Sequence, residues 1–298
     1  MIQEEKTLKV SVCVITYNQE KYIRQCLQSI VDQETDFDFE VIVGDDCSTD
    51  GTRTIVQEFA ERYPRVVKPI FHEKNIGGHK NFYLVHQQAV GEYIAHVDGD
   101  DYCLPGKLQV QVDCLNKQSD CNIVWHAVRV IDEISGRRRD AYLPWGLYPK
   151  DGFKRGDLLA IGSVGCHSSK MYRAKCRRHL KVDFEFLDFY TDVQHIGNGK
   201  GIYIHEVFGV HRANVGISSF GNKTRQILLN NLDSLSQQFP SYRSKIGSHV
   251  FRLFVGDLIK RRSTLGLSLR LLCKVFSMKI FYDFIVTTFL LKYGKRTK

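Results

Sequence analysis

Acidic side chains cluster at two short segments of this chain, and their spacing suits the binding of a cation. The segment Asp98-Gly99-Asp100-Asp101 is one, and the pair Asp45 and Asp46 is the other. Carboxylate oxygens this close in sequence are hard ligands of the kind that Mg²⁺ and Mn²⁺ prefer, and Mg²⁺ usually binds through one or two carboxylates and substrate phosphates. The chain has neither a GxGxxG nor a GxxxxGK[ST] motif. A metal-bridged diphosphate is therefore the natural alternative to the usual protein phosphate cradles.

Short apolar runs rich in β-branched residues precede these polar positions, and we expect them to form buried strands. They cover residues 8–15, 39–43, 66–71 and 93–97. Segments with the helical spacing of apolar residues separate them, so strand and helix alternate about every 25 residues. This alternation predicts an α/β fold with a mostly parallel sheet and helices on both of its faces.

Polar residues follow three of the predicted strands. Asn18 follows the first, the acidic pair and Asp50 follow the second, and Asp98-Gly99-Asp100-Asp101 follows the fourth. Ligands of such sheets bind beyond the carboxyl ends of the strands. One acidic turn would need no explanation, because Asp and Gly are turn formers. Several acids on one edge do need one, because like charges repel unless a cation or donor is present.

The ordered set of these segments resembles the family 2 glycosyltransferases with the GT-A fold. The matching segments are residues 14–18, 43–52, 75–77 and 91–101, together with Asn81. Asp101-Tyr102, followed by Lys107-Leu108-Gln109 and Gln111, is similar to a bacterial subgroup that builds surface polysaccharides. The resemblance implies a GT-A (Rossmann-like), mostly parallel sheet flanked by helices. It also implies a metal-dependent enzyme that uses a nucleotide-activated sugar.

The resemblance assigns a role to each matched position. Tyr17 and either Asp45 or Asp46 match positions that contact the nucleotide base and ribose. Asp98 matches the first acid of the family's DxD motif, and Asp100 matches the second acid, the ligand of Mn²⁺ or Mg²⁺, with Asp98 as a further candidate ligand. The predicted nucleotide-sugar-binding residues are Thr16, Tyr17, Asn18, Asp45, Asp46, Asn75, Lys80, Asp98, Gly99 and Arg212.

A catalytic base is also implied, because the family typically inverts the anomeric centre. Inversion needs a group that takes the proton of the attacking acceptor hydroxyl. The family places an Asp at the start of a helix, eleven residues before a Gly, and Asp188 has this spacing from Gly199. Asp192, four residues further on the same helical face, is the second candidate. A plain helix N-terminal acid, favoured by the helix dipole, is the structural alternative for Asp188.

Three other positions carry open alternatives. Cys47 stands where most members of the family have Gly, so the turn there is either not left-handed or strained. Arg212 either contacts the diphosphate, braces the active-site loop, or is a surface residue that follows a strand. His167 either lines the acceptor pocket or is a hydrogen-bonded structural histidine, and the structural role is favoured.

Charge divides the chain into two predicted domains, a catalytic domain at 1–219 and a basic amphipathic helical region at 220–298. The second region has 15 Lys and Arg against three Asp and Glu, a net charge of +12, whereas the first has a net charge of −3. Amphipathic helices with cationic flanks are typical of an anionic membrane surface. A helical bundle on the catalytic domain and an oligomer interface are the alternatives. No nucleic-acid recognition motif is visible, so nucleic acid is not an expected partner.

The family resemblance implies an inverting glycosyltransferase that works on surface polysaccharide, such as O-antigen, capsule or lipopolysaccharide. Its donor is a nucleotide-diphosphate sugar, with a UDP-sugar favoured, and its acceptor is a glycan or lipid-linked oligosaccharide. Without a signal peptide or an apolar span, it is expected in the cytoplasm, peripheral on the inner face of the cell membrane. The nine cysteines are expected to be reduced thiols. A sugar nucleotidyltransferase and a non-catalytic membrane-recruited scaffold are the alternatives, although the chain lacks the former's Gly-rich basic loop.

Overall fold

The computed structural model describes residues 8–144, 148–149, 151–177, 184–215 and 221–293, with side chains as far as residue 287. The chain divides into two compact units. The first consists of Met1–Tyr142, Gly165–Leu180 and Tyr203–Gly216, and the second of Leu143–Val164, Lys181–Ile202 and Ile217–Lys298. The second unit thus contains two segments that the sequence analysis assigned to the catalytic region. The predicted boundary at residue 219 lies outside the described residues.

The strands alternate with helices as far as β4. The strands are β1 Val10–Thr16, β2 Phe39–Asp45, β3 Val67–Phe71, β4 Tyr93–Asp98, β5 Tyr102–Cys103, β6 Cys121–Asp132, β7 Arg138–Ala141, β8 Met171–Arg173 and β9 Lys200–Ala213. The helices between them are α1 Ile23–Val31, α2 Thr52–Arg62, α3 Gly78–Gln88 and α4 Lys107–Lys117.

The nine strands form one sheet in the order β3-β2-β1-β4-β8-β6-β9-β5, with β7 paired to β6. The first four strands are parallel. Beyond β4, strand β8 pairs with β4 and β6, β7 pairs with β6, and β9 pairs with β5, all in antiparallel orientation. The predicted α/β fold with flanking helices is therefore confirmed. The antiparallel extension is a finding that the sequence analysis did not predict, and it includes Arg138 and Arg139 in strand β7.

Burial explains why the central strands read as continuous apolar runs. Val10, Val12, Cys13 and Val14 of β1 are all fully buried, so both faces of this strand are covered. β-branched residues favour such strands because they pack well on a pleated surface. The core of the first unit therefore holds β1 firmly, and the loop after this strand starts from a fixed point.

The second unit contains the remaining helices, α5 Arg155–Ile161, α6 Asp188–His195, α7 Gly221–Gln238, α8 Arg243–Ile259, α9 Leu265–Val275 and α10 Lys279–Tyr293. The predicted helical C-terminal region is confirmed, and the apolar run at 265–291 is divided between α9 and α10. Within the described residues, none of the helices is sufficiently long and apolar to cross a membrane. All nine cysteines are free thiols, and Cys273 on α9 is the one that is exposed.

Acid should destabilise the protein, and His249 on α8 provides a clear test. Burial, with a contribution from Arg252, lowers the pKa of His249 from 6.5 to about 3. Between these two values the unfolded chain binds a proton that the folded chain does not, so stability falls as pH is lowered through 6.5. The free energy of unfolding, measured by urea titration, should drop about 1.4 kcal/mol less from pH 7.5 to 5.5 in His249→Gln than in the unmodified protein. An equal drop in both proteins would refute this role.

Candidate active site

The ends of β1, β2 and β4 coincide at one edge of the sheet. Thr16 pairs with Asp45 across β1 and β2, and Ile15 pairs with Asp98 across β1 and β4. The Gly99 N–H donates to the carbonyl of Ile15 at 2.9 Å, which continues the β1–β4 pairing by one residue. The polar residues that follow the three strands therefore start from a common rim, as the alternation of strands and helices predicts.

Gly99 is required by close packing against the end of β1. A Cβ atom at this position would lie 2.5 Å from Gln19 Oε1 and 2.9 Å from Thr16. Thr16 is buried, and its Oγ1 donates to Gln19 Oε1 at 2.8 Å, so these groups have little room to move. A side chain at residue 99 would push the segment away from β1, and with it the acids on either side.

Two residues of the rim loops have left-handed backbone conformations. Asn18 has φ of 51° and Cys47 has φ of 62°. Asn adopts this region readily, whereas Cys seldom does, so the alternative of a strained turn at Cys47 is correct. Asn18 Oδ1 accepts the Thr49 N–H at 2.8 Å and ties the two loops together. Tyr17, which precedes it, is 39% exposed and presents its ring to solvent.

Asp45 and Asp46 are both buried and both hydrogen-bonded. Asp45 accepts from Arg53 Nε at 3.0 Å. Asp46 accepts the backbone N–H groups of Ile76 and Gly77 at 2.7 and 2.9 Å. Their carboxylates therefore hold the loop after β2 and the turn before α3. Their predicted contacts with base and ribose would use the remaining lone pairs.

Asn75 and Lys80 lie on the turn before α3 and on α3 itself. Both are exposed. Asn75 Oδ1 accepts the Gly77 N–H at 3.2 Å, which makes it part of the turn that Asp46 holds. Lys80 extends from the first turn of the helix. Their roles in binding stay predictions.

Both carboxylate oxygens of Asp98 lie close to polar side chains. Oδ1 lies 3.1 Å from His96 Nε2, and Oδ2 lies 3.4 Å from both His167 Nδ1 and Ser168 Oγ. The Ser168 hydroxyl also accepts the Asp98 N–H at 3.0 Å. The two histidines hold the pKa of Asp98 well below its usual range, despite burial that acts in the opposite direction. His167 thus bonds to the rim, in keeping with the structural role.

Asp101 is also fully engaged. Its Oδ2 accepts the Ser168 hydroxyl at 2.5 Å, and its Oδ1 accepts the Arg212 N–H at 2.9 Å. His211 Nδ1 lies 3.2 Å from both oxygens. This hydrogen bond, with another to Cys166, raises the pKa of His211 to about 12, so the imidazole is charged and balances the carboxylate.

Asp100 differs from its two neighbours. It is 8% exposed, yet none of the Lys, Arg or His side chains that the structure describes forms an ion pair with its carboxylate. Burial and the nearby carboxylates of Asp101 and Asp98 raise its pKa to about 7. A buried carboxylate beside two others, without an ion pair of its own among the described side chains, fits a site for a hard divalent cation.

Two groups of ligand-type side chains at this rim have atoms within 4.8 Å of one another. They are His96, Asp98 and His167, and Asp101, Cys166 and His211. In both groups a histidine nitrogen already faces the carboxylate as a hydrogen-bond partner, which explains the arrangement without a metal. Asp100 belongs to neither group, so the unmet demand for positive charge centres on this residue. Mg²⁺ and Mn²⁺ fit here because they take carboxylate, phosphate and water oxygens.

Arg212 braces the acidic loop through β9. Its Nη1 donates to the carbonyl oxygen of Asp100, and its Nη2 donates to Gln25 Oε1 at 2.5 Å. Its Nε lies 3.0 Å from Glu133 Oε1. The pairing of β5 with β9 brings Arg212 to this position. These contacts correspond to the bracing alternative, and a contact with diphosphate stays a prediction.

The brace at Arg212 can be tested by Arg212→Lys. Lysine keeps the charge but cannot reproduce the planar fork, so buried acceptors are left without partners. We expect the free energy of unfolding to fall by about 2 kcal/mol. Arg129→Lys is the matched control, because Arg129 pairs with Asp140 at the surface with 46% of its side chain exposed. That variant should change by less than about 1 kcal/mol. Equal losses would show that Arg212 is no more important than a surface arginine.

Asp188 and Asp192 lie on α6 in the second unit. Asp188 begins the helix, is partly exposed, and accepts the Phe189 N–H at 2.8 Å. Asp192 is 2% exposed. A base must reach an acceptor hydroxyl, so exposure favours Asp188. Neither assignment is tested by this geometry.

Ser168 and Gln25 belong to the candidate site, and the sequence analysis did not predict them. Ser168 forms hydrogen bonds with both Asp98 and Asp101, and Gln25 accepts a hydrogen bond from Arg212. The motif that follows the acids explains how Ser168 is placed. Lys107 Nζ donates to the carbonyl of Ser168 at 2.7 Å, and Gln111 Nε2 donates to the carbonyl of Ser169 at 2.8 Å. From the sequence, Lys107 and Gln111 could have indicated that this motif binds another segment of the chain, but not which segment.

Comparison with known sequences supports this description. The profile of the family described as glycosyl transferase family 2 matches residues 11–180. The uncharacterized protein Rv1520 of Mycobacterium tuberculosis is 36% identical over 204 residues. That match covers 68% of this chain and 58% of the relative, so the chain spans less than two thirds of the relative's length.

Solved structures share the fold. The structure of residues 1–349 of TarS from Staphylococcus aureus, in complex with UDP-GlcNAc, has a TM-score of 0.64 at 19% identity and matches 98% of this chain and 93% of its own. TarS is named as a poly(ribitol-phosphate) beta-N-acetylglucosaminyltransferase. The mannosyltransferase PcManGT from Pyrobaculum calidifontis, in complex with GDP-Man and Mn²⁺, has a TM-score of 0.58 at 17% identity and matches 97% of this chain and 88% of its own.

Proposed function

The chain belongs to glycosyl transferase family 2, and on that premise we propose that it transfers a sugar from a nucleotide-diphosphate sugar to a hydroxyl group of a glycan or lipid-linked acceptor, with inversion, during synthesis of a bacterial surface polysaccharide. The observation that carries the proposal is the buried Asp100 carboxylate, which has no ion pair among the described residues and lies on a rim where three strand ends meet. The name of TarS indicates that it acts on a polymer, poly(ribitol-phosphate). The similarity to TarS therefore supports the assignment to polysaccharide synthesis.

Donor binding is assigned to the rim. The exposed ring of Tyr17 is suited to stack on the nucleotide base, and Asp98 retains lone pairs for hydroxyl groups of ribose or sugar. A UDP-sugar is the favoured donor, as in the TarS complex, whereas the PcManGT complex contains GDP-Man. The base and the sugar are therefore the first properties to be determined.

Asp100 is assigned as the residue that holds Mn²⁺ or Mg²⁺, with Asp98 beside it. A divalent ion bound there supplies a Lewis acid that neutralises the charge developing on the departing diphosphate. The protein's own contribution is to hold the Asp100 segment in place. Arg212 does so by donating a hydrogen bond to the carbonyl oxygen of Asp100, and Gly99 does so by packing closely against β1.

Asp188 is assigned as the base. Its carboxylate takes the proton of the acceptor hydroxyl as that oxygen forms its bond to the anomeric carbon, while the bond from this carbon to the diphosphate oxygen breaks on the opposite face. The position of Asp188 at the start of α6, partly exposed, supports this role.

The test is a screen of nucleotide sugars against the full chain. Each donor is tried with and without Mn²⁺ or Mg²⁺, and both hydrolysis of the donor and thermal stabilisation are measured. We expect one donor to raise the melting temperature and to be turned over only with metal. Metal-independent turnover would refute the role of Asp100. Failure of every nucleotide sugar to bind or react would refute the proposed function and favour the scaffold.

We also propose that the C-terminal helices hold the protein on an anionic membrane surface, at the inner face of the bacterial membrane. Large apolar side chains of this region are exposed, among them Phe276 at 53%, Met278 at 75%, Tyr282 at 67% and Ile285 at 64%. Asp283, the acid of α10, is instead buried and lies 3.5 Å from Lys245. The exposed face of α10 is therefore apolar, and the buried Asp283 adds no negative charge to it. Such a face favours contact with an anionic membrane surface.

The double variant Tyr282→Ser with Ile285→Ser tests this surface in a flotation assay with phosphatidylglycerol vesicles. Both side chains are exposed, so folding should be preserved. We expect at least a tenfold loss of vesicle binding, because burying one large apolar side chain contributes about 1.5–3 kcal/mol. Ile134→Ser, at a residue 82% exposed in the first unit, is the control and should bind normally. Unchanged flotation with a changed oligomeric mass would favour an oligomer interface instead.

A further inference from the structure

A row of aromatic and imidazole rings leads from the core of the first unit to Asp98. The Tyr172 hydroxyl lies 2.8 Å from His86 Nδ1, His86 Nε2 lies 3.0 Å from His96 Nδ1, and His96 Nε2 lies 3.1 Å from Asp98 Oδ1. Tyr172, His86 and His96 are almost completely buried. The row is thus a continuous hydrogen-bonded chain that ends on an acid of the rim.

The chemistry of its last member sets the direction of every bond in this chain. An ionised carboxylate can only accept, so His96 Nε2 must carry a proton and donate to Asp98. In its neutral form His96 then has an unprotonated Nδ1, which accepts from His86 Nε2–H at 3.0 Å. His86 Nδ1 in turn accepts the Tyr172 hydroxyl proton. One arrangement of protons therefore satisfies all three bonds.

Packing holds the rings in the orientations that these bonds need. The Phe82 ring stacks on His86 with centroids 3.8 Å apart, and His167 lies against His96 with centroids also 3.8 Å apart. The imidazoles therefore cannot turn without displacing their neighbours. Because β4 carries His96 two residues before Asp98, strand and ring together aim the Asp98 oxygen.

We propose that Tyr172, His86 and His96 are positioning residues that hold the Asp98 carboxylate in the orientation in which its free lone pairs receive the hydroxyl groups of the sugar donor. The inference rests on the proposed function, because it assigns the partner of Asp98. It adds three residues, none of which belongs to the predicted site. They act through Asp98 and do not touch the donor.

The kinetic test compares His96→Gln with His96→Met. The two side chains are of similar length, but only Gln retains an N–H for Asp98. We expect His96→Met to raise the donor KM about tenfold with a smaller change in kcat, and His96→Gln to stay within about threefold of the unmodified protein. Tyr172→Phe removes a single hydroxyl from the far end, and it should raise KM about twofold. It also serves if His96→Met does not fold.

The control is His126→Met. His126 is equally buried, but its Nδ1 lies 2.8 Å from the Ala127 carbonyl, and none of the acids that the structure describes bonds to it. We expect a lower melting temperature with an unchanged donor KM. If His96→Met shows this same pattern, or if Gln and Met at residue 96 raise KM equally, the positioning role is overturned.

A second measurement needs no turnover. Nitrogen-15 spectra of the histidine-labelled chain should show His86 and His96 as neutral rings protonated at Nε2. The opposite tautomer at either ring would overturn the chain. If no nucleotide sugar reacts with the unmodified protein, the proposed function fails and the role of Asp98 toward the donor fails with it. The tautomers would still report whether the hydrogen-bonded chain exists.

Discussion

Asp100→Asn should yield a protein that is nearly inactive and yet more stable. We expect kcat/KM for the donor to fall by about 10³-fold, since the variant loses a ligand of a cation that contributes several kcal/mol to the transition state. The pKa of Asp100 is raised from 3.8 to about 7, so above pH 7 the folded protein holds an unfavourable charge. Removing this charge should raise the free energy of unfolding at pH 8, without metal, by about 1 kcal/mol or more.

The two readouts together separate a functional role from a structural one. Donor turnover is measured over a range of Mn²⁺ concentrations, and stability by urea titration in the presence of a chelator. Asp113→Asn on α4 is the control, because it makes the same charge change at a helix surface where Asp113 accepts from Gln109. It should keep full activity and near-normal stability. An Asp100→Asn protein that keeps full activity, or one that is inactive because it is unfolded, contradicts the assignment.

Asp188→Asn should lower kcat by about 10²–10⁴-fold and leave the affinity for the donor unchanged. An amide of the same shape cannot take the acceptor's proton, whereas the donor is bound by other residues. The measurement is transfer to acceptor at saturating donor, with donor affinity determined separately by calorimetry. Loss of donor affinity in proportion to kcat would indicate a binding residue instead.

Two further variants frame this result. Asp157→Asn is a matched control, because Asp157 is also an acid in the first turn of a helix of the second unit, where it accepts the Lys154 N–H at 2.8 Å. It should leave kcat unchanged even if it lowers stability. Asp192→Asn decides between the two candidates. If it abolishes transfer in a folded protein while Asp188→Asn retains activity, then Asp192 is the base and the preference for the exposed acid is wrong.

The parallel strands and their rim could be predicted because their signals are local. β1, β2 and β4 are runs of buried apolar residues that end abruptly in polar ones. A single sequence shows such a run directly. The acids that follow these strands were therefore found without knowledge of their contacts, although a shared edge does not reveal which acid is paired and which is not.

The partners of those acids could not be predicted, because short antiparallel strands place them. β5 has two residues and β8 has three, too few to show a period of two. Yet β5 aligns β9 so that Arg212 reaches Asp100, and β8 follows the turn that contains Ser168. The hydroxyl of Ser168 has no spacing signature. For Arg212 the sequence analysis left three alternatives open, and bracing of the active-site loop was one of them.

The distribution of thiols has a practical consequence. Of the nine cysteines, Cys273 is the exposed one, and it lies on α9 beside the apolar surface of the C-terminal helices. An alkylating fluorophore should therefore attach there first, since access limits the reaction at the other thiols. The unmodified chain thus contains its own reporter position. An environment-sensitive dye at Cys273 would register, in real time and without any engineered cysteine, whether and how fast this face leaves water for lipid.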